Sequence, residues 1–449
     1  MSEKLKRTIE IVNNISPSFC AAKWYNASIW LSNGRTASCH HPLAHSIPSE
    51  ELNKSFKALH NTSTKKQARK EMLNGIRPAE CGYCWRVEDL NNSTIYSDRA
   101  YKSMIYDEDD VNFLKTLPYD ADVDPKTLEI CFDNLCNLKC SYCNSEFSST
   151  WSSDIKEKGP YEGMRTPGGF TYQNDGSSEI LYGPKNEDNI YVKKFFEWYN
   201  SSLRTSLSEL RISGGEPTRS PNFWKLIDSF ENEKFQFAVN SNLVMTEDRL
   251  EKLIKTSRQF EKFKFHVYTS CESYGNIAEF VRSGLKYNLW RNNLFKLQVS
   301  NPFLVTHIMM TVSALSVWGI PDFIEDVMKL RKETNDTIGV AARYHLSVNI
   351  LRFPSFHSVN ILPIDEKTKL ANNIEAVVNK AEHLSEFEKN GFERCIAYLR
   401  QVDTSYEDSD SIIDKHNDFK EFVLQYSKRN NMALNEYMPN QFNKWFEKI

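Results

Sequence analysis

The 449-residue sequence lacks several features that would assign it to a class immediately. Its start, MSEKLKRTIEIVNN, has no apolar core of the kind found in secretory signal peptides, so we expect a cytoplasmic protein with reduced cysteines. The net charge is only −3, which weighs against nucleic acid as a partner, although a local basic groove is compatible with it. No internal repeat is apparent. With 40% hydrophobic and 26% charged residues, the composition is that of a soluble globular protein.

One uncharged segment is long enough to cross a membrane. No Asp, Glu, Lys or Arg occurs from residue 297 to residue 321. The segment nevertheless contains many polar residues, among them Gln298, Asn301 and His307, which disfavour a membrane span. We therefore predict a buried strand over 304–312, an uncharged loop behind it, and no membrane partner.

Between residues 127 and 363, short apolar segments alternate with segments of helical periodicity. Strands are predicted at 127–132, 209–213, 235–240, 264–270, 304–312 and 345–351. Helices are predicted at 192–200, 222–232, 247–256, 277–283 and 322–334. This alternation is typical of βα units that form a parallel sheet. Six strands are two fewer than a closed eight-stranded barrel needs, so we predict an α/β fold with a partial barrel or an open sheet.

The flanking regions differ from this central region. Residues 1–105 contain four cysteines and a charged helical stretch, and an acidic run at 107–110 follows them. Residues 365–449 have apolar residues at helical spacing, which predicts a helical C-terminal extension. The predicted domains are therefore 1–105, 106–364 and 365–449. A Gly- and Pro-containing segment at 159–189 is too long for an ordinary βα loop, so we predict a substrate lid or a mobile insertion there.

The most specific motif is a cysteine triplet. Cys136, Cys140 and Cys143 lie in CNLKCSYC, directly after the first central strand. Ten randomly placed cysteines would give about 0.005 such triplets. Three thiolates at this spacing can bind three irons of a 4Fe–4S cluster and leave the fourth iron open to a small molecule. Zinc is the alternative, but a closed zinc site needs a fourth ligand, which is missing nearby in sequence.

A second motif follows the next strand as SGGEP. The two glycines allow the backbone to approach a ligand closely, and Glu216 can accept hydrogen bonds from an ammonium group. Alone, this motif could be a tight turn. Its position at the end of the strand after the cysteine triplet strengthens the interpretation as a ligand site, because such sites form at the carboxyl ends of parallel strands.

CNLKCSYC followed by SGGEP resembles the radical S-adenosylmethionine superfamily. The resemblance implies a partial (β/α)6 barrel similar to a TIM barrel, and an open iron that binds the amino and carboxylate groups of S-adenosylmethionine. Reductive cleavage would yield a 5′-deoxyadenosyl radical that abstracts a substrate hydrogen. An external electron donor of the flavodoxin or ferredoxin type is implied as a partner.

The resemblance also implies roles for individual residues. Tyr142 would pack near the adenine, and Arg282 would pair with the methionine carboxylate, although a solvated helix charge is its alternative interpretation. Glu272 stands where related sequences often have Asp, so its role is open. The other implied cofactor-binding residues are Gly214, Gly215 and Glu216 at the methionine amino group, and Ser270 at a strand end.

A second cysteine set precedes the central region. Cys20, Cys39, Cys81 and Cys84 can close either a zinc site or a second 4Fe–4S cluster. The set resembles the twitch module, a short form of the SPASM domain, which carries an auxiliary cluster and in some relatives precedes the barrel. A structural zinc knuckle is the alternative. His40 and His41, beside Cys39, are interpreted as turn residues rather than spare ligands.

Three functions remain open. The leading prediction is a radical S-adenosylmethionine enzyme of the oxidoreductase type whose auxiliary cluster assists net oxidation or modification, with a peptide as substrate by resemblance to twitch and SPASM enzymes. The same chemistry on a small alcohol, a sugar or nucleic acid is the first alternative. A non-catalytic iron–sulfur or zinc-binding protein is the second.

Overall fold

The structure, a computed structural model, describes residues 3–90, 96–177, 180–183, 187–402 and 408–449. The chain divides into two compact units, each built from separate stretches of sequence. The first comprises residues 1–133, 181–214 and 233–237, and the second comprises residues 134–180, 215–232 and 238–449. The predicted domains are consecutive segments, whereas these units interleave along the chain.

The strands of the described chain include all six that the sequence predicts, with each end within one residue of its predicted position. They are β1 (Asn26–Trp30), β2 (Arg35–Ala37), β3 (His45–Ser46), β4 (Thr127–Cys131), β5 (Lys139–Cys140), β6 (Glu209–Ser213), β7 (Gln236–Ser241), β8 (Phe265–Ser270), β9 (Arg282–Ser283), β10 (Val305–Val312) and β11 (Tyr344–Ile350). The uncharged segment at 297–321 contains β10, as predicted. Among helices in the described ranges, none has the length and apolar character needed to cross a membrane.

The helices of the described chain include the five predicted in the central region. They are α1 (Glu3–Ile15), α2 (Ala22–Tyr25), α3 (Ser49–Lys54), α4 (Ser63–Leu73), α5 (Gly82–Glu88), α6 (Asp98–Ser103), α7 (Glu108–Leu114), α8 (Ser149–Lys158), α9 (Pro167–Phe170), α10 (Ile190–Trp198), α11 (Arg204–Ser206), α12 (Pro221–Asp228), α13 (Glu247–Ser257), α14 (Gly275–Val281), α15 (Tyr287–Ser300), α16 (Ile320–Ile338), α17 (Ile364–Lys380), α18 (Glu386–Leu399), α19 (Ile412–Asn430), α20 (Leu434–Tyr437) and α21 (Asn440–Phe446). Helix α15 was not predicted, because polar Asn293 and Gln298 lie on its buried side and interrupt the apolar periodicity.

The first unit contains strands in the order β6-β4-β1-β2-β3. Strand β1 pairs in parallel with β4, and β4 pairs in parallel with β6. An Asn33-Gly34 turn, a sequence typical of tight hairpins, joins β1 to β2 as an antiparallel pair. Gly34 has a φ of +62°, and a Cβ there would come within 2.3 Å of the Tyr191 ring. The front cysteine region therefore shares a sheet with the first strand of the central region.

The second unit contains strands in the order β11-β10-β8-β7. Strands β8, β10 and β11 are parallel and alternate between buried and half-buried side chains. Val267, Ile308 and Leu346 are on the buried face, and the opposite face is half-exposed. A mixed α/β fold with mostly parallel strands is thus confirmed, whereas curvature into a partial barrel stays a prediction.

The predicted helical extension is present as α17 to α21, and α19 packs against the segment predicted as a lid. Tyr161 and Tyr172 of that segment are fully buried. Asp418 of α19 accepts hydrogen bonds from the backbone N–H groups of Arg165 (2.7 Å) and Thr166 (2.8 Å). The segment over residues 160–173 is therefore packed against α19 through its buried side chains, while residues 178–179 and 184–186 of the predicted lid lie outside the described residues.

A buried ion-pair cluster supports this packing and yields a stability prediction. Asp154 is within 2.5 Å of Lys139 Nζ, 3.0 Å of Lys158 Nζ and 3.3 Å of Arg429. Asp154→Asn leaves the buried Lys139 ammonium without its carboxylate, so we expect the free energy of unfolding to fall by about 3–5 kcal/mol in chemical denaturation. Asp365→Asn, at an exposed carboxylate 3.7 Å from Lys369, is the control and should change little. Equal effects of the two substitutions would contradict this account.

The ion-pair cluster also predicts a pH dependence. Burial acts to raise the pKa of Asp154, but the hydrogen bonds and charges of Lys139 and Lys158 outweigh burial and leave the pKa lowered. The unfolded carboxyl titrates at about 3.9. The stabilisation is therefore fully present above that pH and is lost as the pH falls through the lower pKa of the folded state. Acid titration of the wild-type chain and Asp154→Asn should show their stabilities converging below about pH 4.

Candidate functional site

The segment from Cys136 to Cys143, here called the cysteine loop, follows β4 in sequence. Cys140 is buried, and Cys136 and Cys143 are half-buried. Strand β5 of the loop pairs antiparallel with β9, so that Cys140 lies opposite Arg282. This two-stranded ladder attaches the loop to the chain that follows α14.

Side chains from outside the loop hold its backbone. Five of its carbonyl oxygens accept hydrogen bonds from hydroxyl or indole groups, namely those of Cys136 from Thr150, Leu138 from Ser148, Lys139 from Tyr426, Cys140 from Trp151, and Ser141 from Tyr172. Each such bond contributes about 1 kcal/mol to stability. The loop conformation is thus fixed by contacts to the carbonyl groups of its backbone.

Tyr426 of α19 makes the central contact of this group. Its hydroxyl donates to the Lys139 carbonyl and accepts from the Ser283 N–H (3.1 Å), so it connects β5 with β9. Its ring is stacked near Phe422 and Trp151, with centroids 5.2 Å and 6.0 Å away. Tyr426 is fully buried. The C-terminal extension therefore supports the cysteine loop directly, which the sequence did not indicate.

Burial disfavours the ionised form of all three loop thiols. Burial raises the pKa of Cys136 to about 12, and the nearby Cys140 adds to the shift. Burial also raises the pKa values of Cys140 and Cys143. Arg282 Nη1 donates to Cys140 Sγ at 3.3 Å and opposes this effect. A cation or cluster bound here must displace these protons, so its affinity should increase with pH.

The two glycines of SGGEP allow close backbone packing. Gly214 has a φ of +127°, and a Cβ there would come within 2.7 Å of the Asp133 carbonyl oxygen. A Cβ at Gly215 would come within 2.4 Å of the Leu135 carbonyl oxygen. Any larger residue at either position would therefore displace the chain that leads into the cysteine loop.

Glu216 is buried and bound by the protein. Its carboxylate accepts hydrogen bonds from the hydroxyls of Thr218 (2.7 Å) and Ser241 (2.8 Å) and from the Asn242 N–H (2.6 Å). Burial raises the pKa of Glu216, and these hydrogen bonds oppose the shift. Glu216 thus joins the GGEP turn to the end of β7; a contact with a methionine amino group stays a prediction.

Tyr142, Glu272 and Arg282 form a buried cluster beside Cys140. Glu272 Oε2 lies 2.7 Å from Arg282 Nη2 and 3.0 Å from its Nε, and Tyr142 donates to Glu272 Oε1 at 3.3 Å. The Arg282 guanidinium is 5.4 Å from the centre of the Tyr142 ring. Arg282 is 5% exposed, so it is not a solvated helix charge. Glu272, whose role the sequence left open, orients both of its partners.

Ser270 ends β8, two residues before Glu272, and is half-buried opposite Met309 of β10. The neighbouring Cys271 is fully buried, and its thiol donates to the Ser273 carbonyl at 3.5 Å. Ser270 and Glu272 therefore both lie at or just after the carboxyl end of β8, within the second unit.

The four front cysteines meet in one cavity of the first unit. Cys20 precedes α2, Cys39 follows β2, and Cys81 and Cys84 lie at the start of α5. All four line a cavity with about 420 Å³ of space not filled by protein atoms, part of it open to solvent. Burial raises the pKa of Cys81 to about 12 and that of Cys84 to about 11.

A buried cation lies beside these thiols. Lys23 is 3% exposed, lines the same cavity and forms an ion pair with Glu80. Burial acts to lower the pKa of Lys23, but Cys81, when ionised, and Glu80 outweigh it and leave the pKa raised. Glu88, which ends the cysteine motif, accepts a hydrogen bond from Arg99 Nε at 2.8 Å. Lys23 and Arg99, beside the front cysteines, are therefore each paired with a carboxylate.

The spacing of the sulfurs distinguishes a single ion from a larger group. Four thiolates on one zinc ion lie about 3.8 Å apart, because each Zn–S bond is about 2.3 Å long. In the described chain, no three sulfurs of either cysteine set lie within 4.8 Å of one another. Neither cysteine set is therefore arranged as closely as the ligands of a single zinc ion.

Comparisons with known proteins give distant matches only. No protein-family model matches the chain, and no curated protein matches it. Crystal structures of SuiB from Streptococcus suis are similar to 80% of the chain. The structure bound to S-adenosylmethionine has 14% identity, 70% coverage of SuiB and a TM-score of 0.37. The structure bound to the precursor peptide SuiA has 14% identity, 69% coverage and a TM-score of 0.37. A third structure of SuiB has 13% identity, 75% coverage and a TM-score of 0.29. Superpositions this loose do not establish a shared fold.

The hydrogen bonds to the cysteine loop predict a difference between two buried tyrosines. Tyr426→Phe removes the bonds to Lys139 and Ser283 but keeps the ring, so we expect a loss of about 1–3 kcal/mol in the free energy of unfolding. Tyr161 packs in the same aromatic cluster, and its buried hydroxyl has no hydrogen-bond partner among the residues that the structure describes. Tyr161→Phe is therefore the matched control and should be neutral or slightly stabilising. A loss at Tyr161 as large as that at Tyr426 would contradict the role of the carbonyl contacts.

Proposed function

We propose that this protein is a radical S-adenosylmethionine enzyme whose active cluster is bound by Cys136, Cys140 and Cys143. The observation that supports this proposal most strongly is the cysteine loop. It presents three thiols on a backbone that the protein already holds in place, with spacing wider than a single ion needs. A buried arginine donates to one of these thiols, and the resemblance of CNLKCSYC and SGGEP to the superfamily adds further support.

A 4Fe–4S cluster with S-adenosylmethionine on its open iron would supply one electron to the sulfonium and so generate a radical that takes a hydrogen atom from the substrate. Tyr142 and Arg282 would bind the adenine and the carboxylate, with Glu272 holding both in position. Arg282 also donates to Cys140 Sγ, and hydrogen bonds to cluster sulfurs tune the reduction potential. The Glu272–Arg282 pair is itself buried, so both groups would meet the cofactor out of contact with bulk water.

The direct test measures 5′-deoxyadenosine. The chain is purified without oxygen, reduced, and given S-adenosylmethionine; we expect 5′-deoxyadenosine from the wild-type protein and none above background from Cys136→Ala, Cys140→Ala or Cys143→Ala. Cys395→Ala, at a buried cysteine on α18, is the matched control and should keep the activity. No product from wild-type protein with intact clusters would rule out the enzyme and favour a non-catalytic iron–sulfur protein.

The four front cysteines bind a second, auxiliary 4Fe–4S cluster in this proposal. Four thiolates supply every iron with a ligand, and within the ranges that the structure describes no three of their sulfurs lie as close together as the ligands of one zinc ion do. A cluster of this kind carries negative charge, and buried Lys23 offsets it. Such a cluster could accept an electron from a substrate radical, which suits net oxidation.

Metal analysis tests the auxiliary cluster. We expect about eight irons and eight sulfides per chain in the wild-type protein and about half of each in the double variant Cys81→Ala/Cys84→Ala, because the two thiolates that remain cannot hold the front cluster. Cys395→Ala is again the control. About four irons together with zinc bound through sulfur would identify the front site as a zinc knuckle instead.

A peptide is the proposed substrate, by resemblance to twitch and SPASM enzymes. The half-exposed face of β8, β10 and β11 supports a neutral substrate over RNA, because it has no Lys, Arg, Asp or Glu along these described strands. Its residues are His266, Tyr268, Ser270, His307, Met309, Thr311, His345, Ser347 and Asn349. Thr311 lies beside Tyr142, so this face leads to the proposed cofactor site. A flavodoxin- or ferredoxin-type donor would supply the electron.

A further inference from the structure

Two histidines and an aspartate come together at the edge of the front cysteine cavity. His41 Nε2 lies 2.8 Å from Asp98 Oδ2, and His40 Nε2 lies 3.3 Å from the same oxygen. The two imidazole rings are 4.0 Å apart, and His41 is stacked on Tyr83 with centroids 3.8 Å apart. Within the described residues, these three make up the one group of His, Cys, Asp or Glu ligand atoms that all lie within 4.8 Å of one another.

The distances match those between ligands of one metal ion. Imidazole nitrogens and carboxylate oxygens bind zinc at about 2.1 Å, so two ligands lie about 2.9 Å apart at a right angle and about 3.4 Å apart at a tetrahedral angle. The observed separations of 2.8 Å and 3.3 Å fall close to these values. Two imidazoles with one carboxylate are a common ligand set for divalent transition metals and leave a further position open.

The group is accessible and separate from the sulfurs. His40 is 63% exposed, Asp98 is 34% exposed and His41 is 15% exposed, so an ion can enter from solvent. No cysteine sulfur belongs to the group. His41 and Asp98 line the cysteine cavity, whereas His40 does not. A variant of His40 therefore perturbs this group without removing a wall of the cavity.

We propose that His40, His41 and Asp98 bind a divalent transition-metal ion of the zinc class, with an open position toward solvent. The ion would connect the turn after Cys39 to the start of α6 and so fix the turn that carries one cysteine of the front set. The proposal does not depend on radical chemistry or on which group the four cysteines bind.

Zinc binding to the full chain tests the proposal. The protein is purified without oxygen, freed of loosely bound divalent ions with a chelator, loaded with Zn²⁺ and separated from excess ion. X-ray absorption at the zinc edge then reports only zinc, whatever iron is present. We expect nitrogen and oxygen ligands at about 2.0–2.1 Å from the zinc ion, with the outer-shell scattering of imidazole rings. Sulfur ligands at about 2.3 Å are not expected.

Three variants complete the test. His40→Ala and Asp98→Asn should each weaken zinc binding at least tenfold, because one ligand is lost or loses its charge. His383→Ala is the matched control: His383 is 87% exposed and 4.0 Å from Glu382, but it belongs to no group of three ligands. Iron and sulfide are measured in each variant and should not change in His40→Ala. Zinc bound through sulfur alone, or equal zinc affinity in His40→Ala and wild type, would overturn the proposal.

Discussion

The hydrogen bonds that hold the carbonyl groups of the cysteine loop are the constraint on which the rest of the site depends. Within the cysteine loop only Lys139 and Cys140 lie in a strand, so several of its carbonyl groups need partners from elsewhere. Trp151, Tyr172 and Tyr426 supply several of them from three separate parts of the second unit. The aromatic rings of these donors pack together, so the hydrophobic core and the loop geometry are stabilised by the same side chains.

The charged side chains around the cysteine loop are buried, so each of them needs a partner of opposite charge. Arg282 reaches Cys140 only because β9 pairs with β5, and its buried charge requires the equally buried Glu272. Lys139 lies next to Cys140 in sequence, but its ammonium group forms an ion pair with Asp154 of α8. The loop is therefore fixed by ion pairs as well as by hydrogen bonds. Its thiols are left for a ligand that supplies positive charge of its own.

Much of the framework was predictable from the sequence because it depends on local pattern. The six central strands and the Asn33-Gly34 hairpin have clear periodicity or turn residues, and the structure contains all of them. The pairing of β1 with β4 was not predictable, because nothing in either segment specifies its neighbour. Helix α15 was missed because amides occupy its buried side.

The candidate site likewise contains residues that the sequence predicted and residues that it did not. The cysteines were found by spacing, and Arg282 by resemblance. Glu272 was set aside as a departure from the family pattern, although its partnership with Arg282 explains a longer acid at that position. The role of Tyr426 could not be seen, since 283 or more residues separate it from the loop. His40 and His41 were interpreted as turn residues because Asp98, which joins them, is distant in sequence.

The central claim is that the cysteine loop holds a cluster with one iron open to S-adenosylmethionine. Electron paramagnetic resonance of the reduced protein, recorded with and without S-adenosylmethionine, tests this claim most directly. The double variant Cys81→Ala/Cys84→Ala is used so that only the loop cluster contributes to the spectrum. The account predicts that S-adenosylmethionine changes the signal of this cluster and that Cys140→Ala abolishes it. A signal from the loop cluster that is identical with and without S-adenosylmethionine would contradict the account.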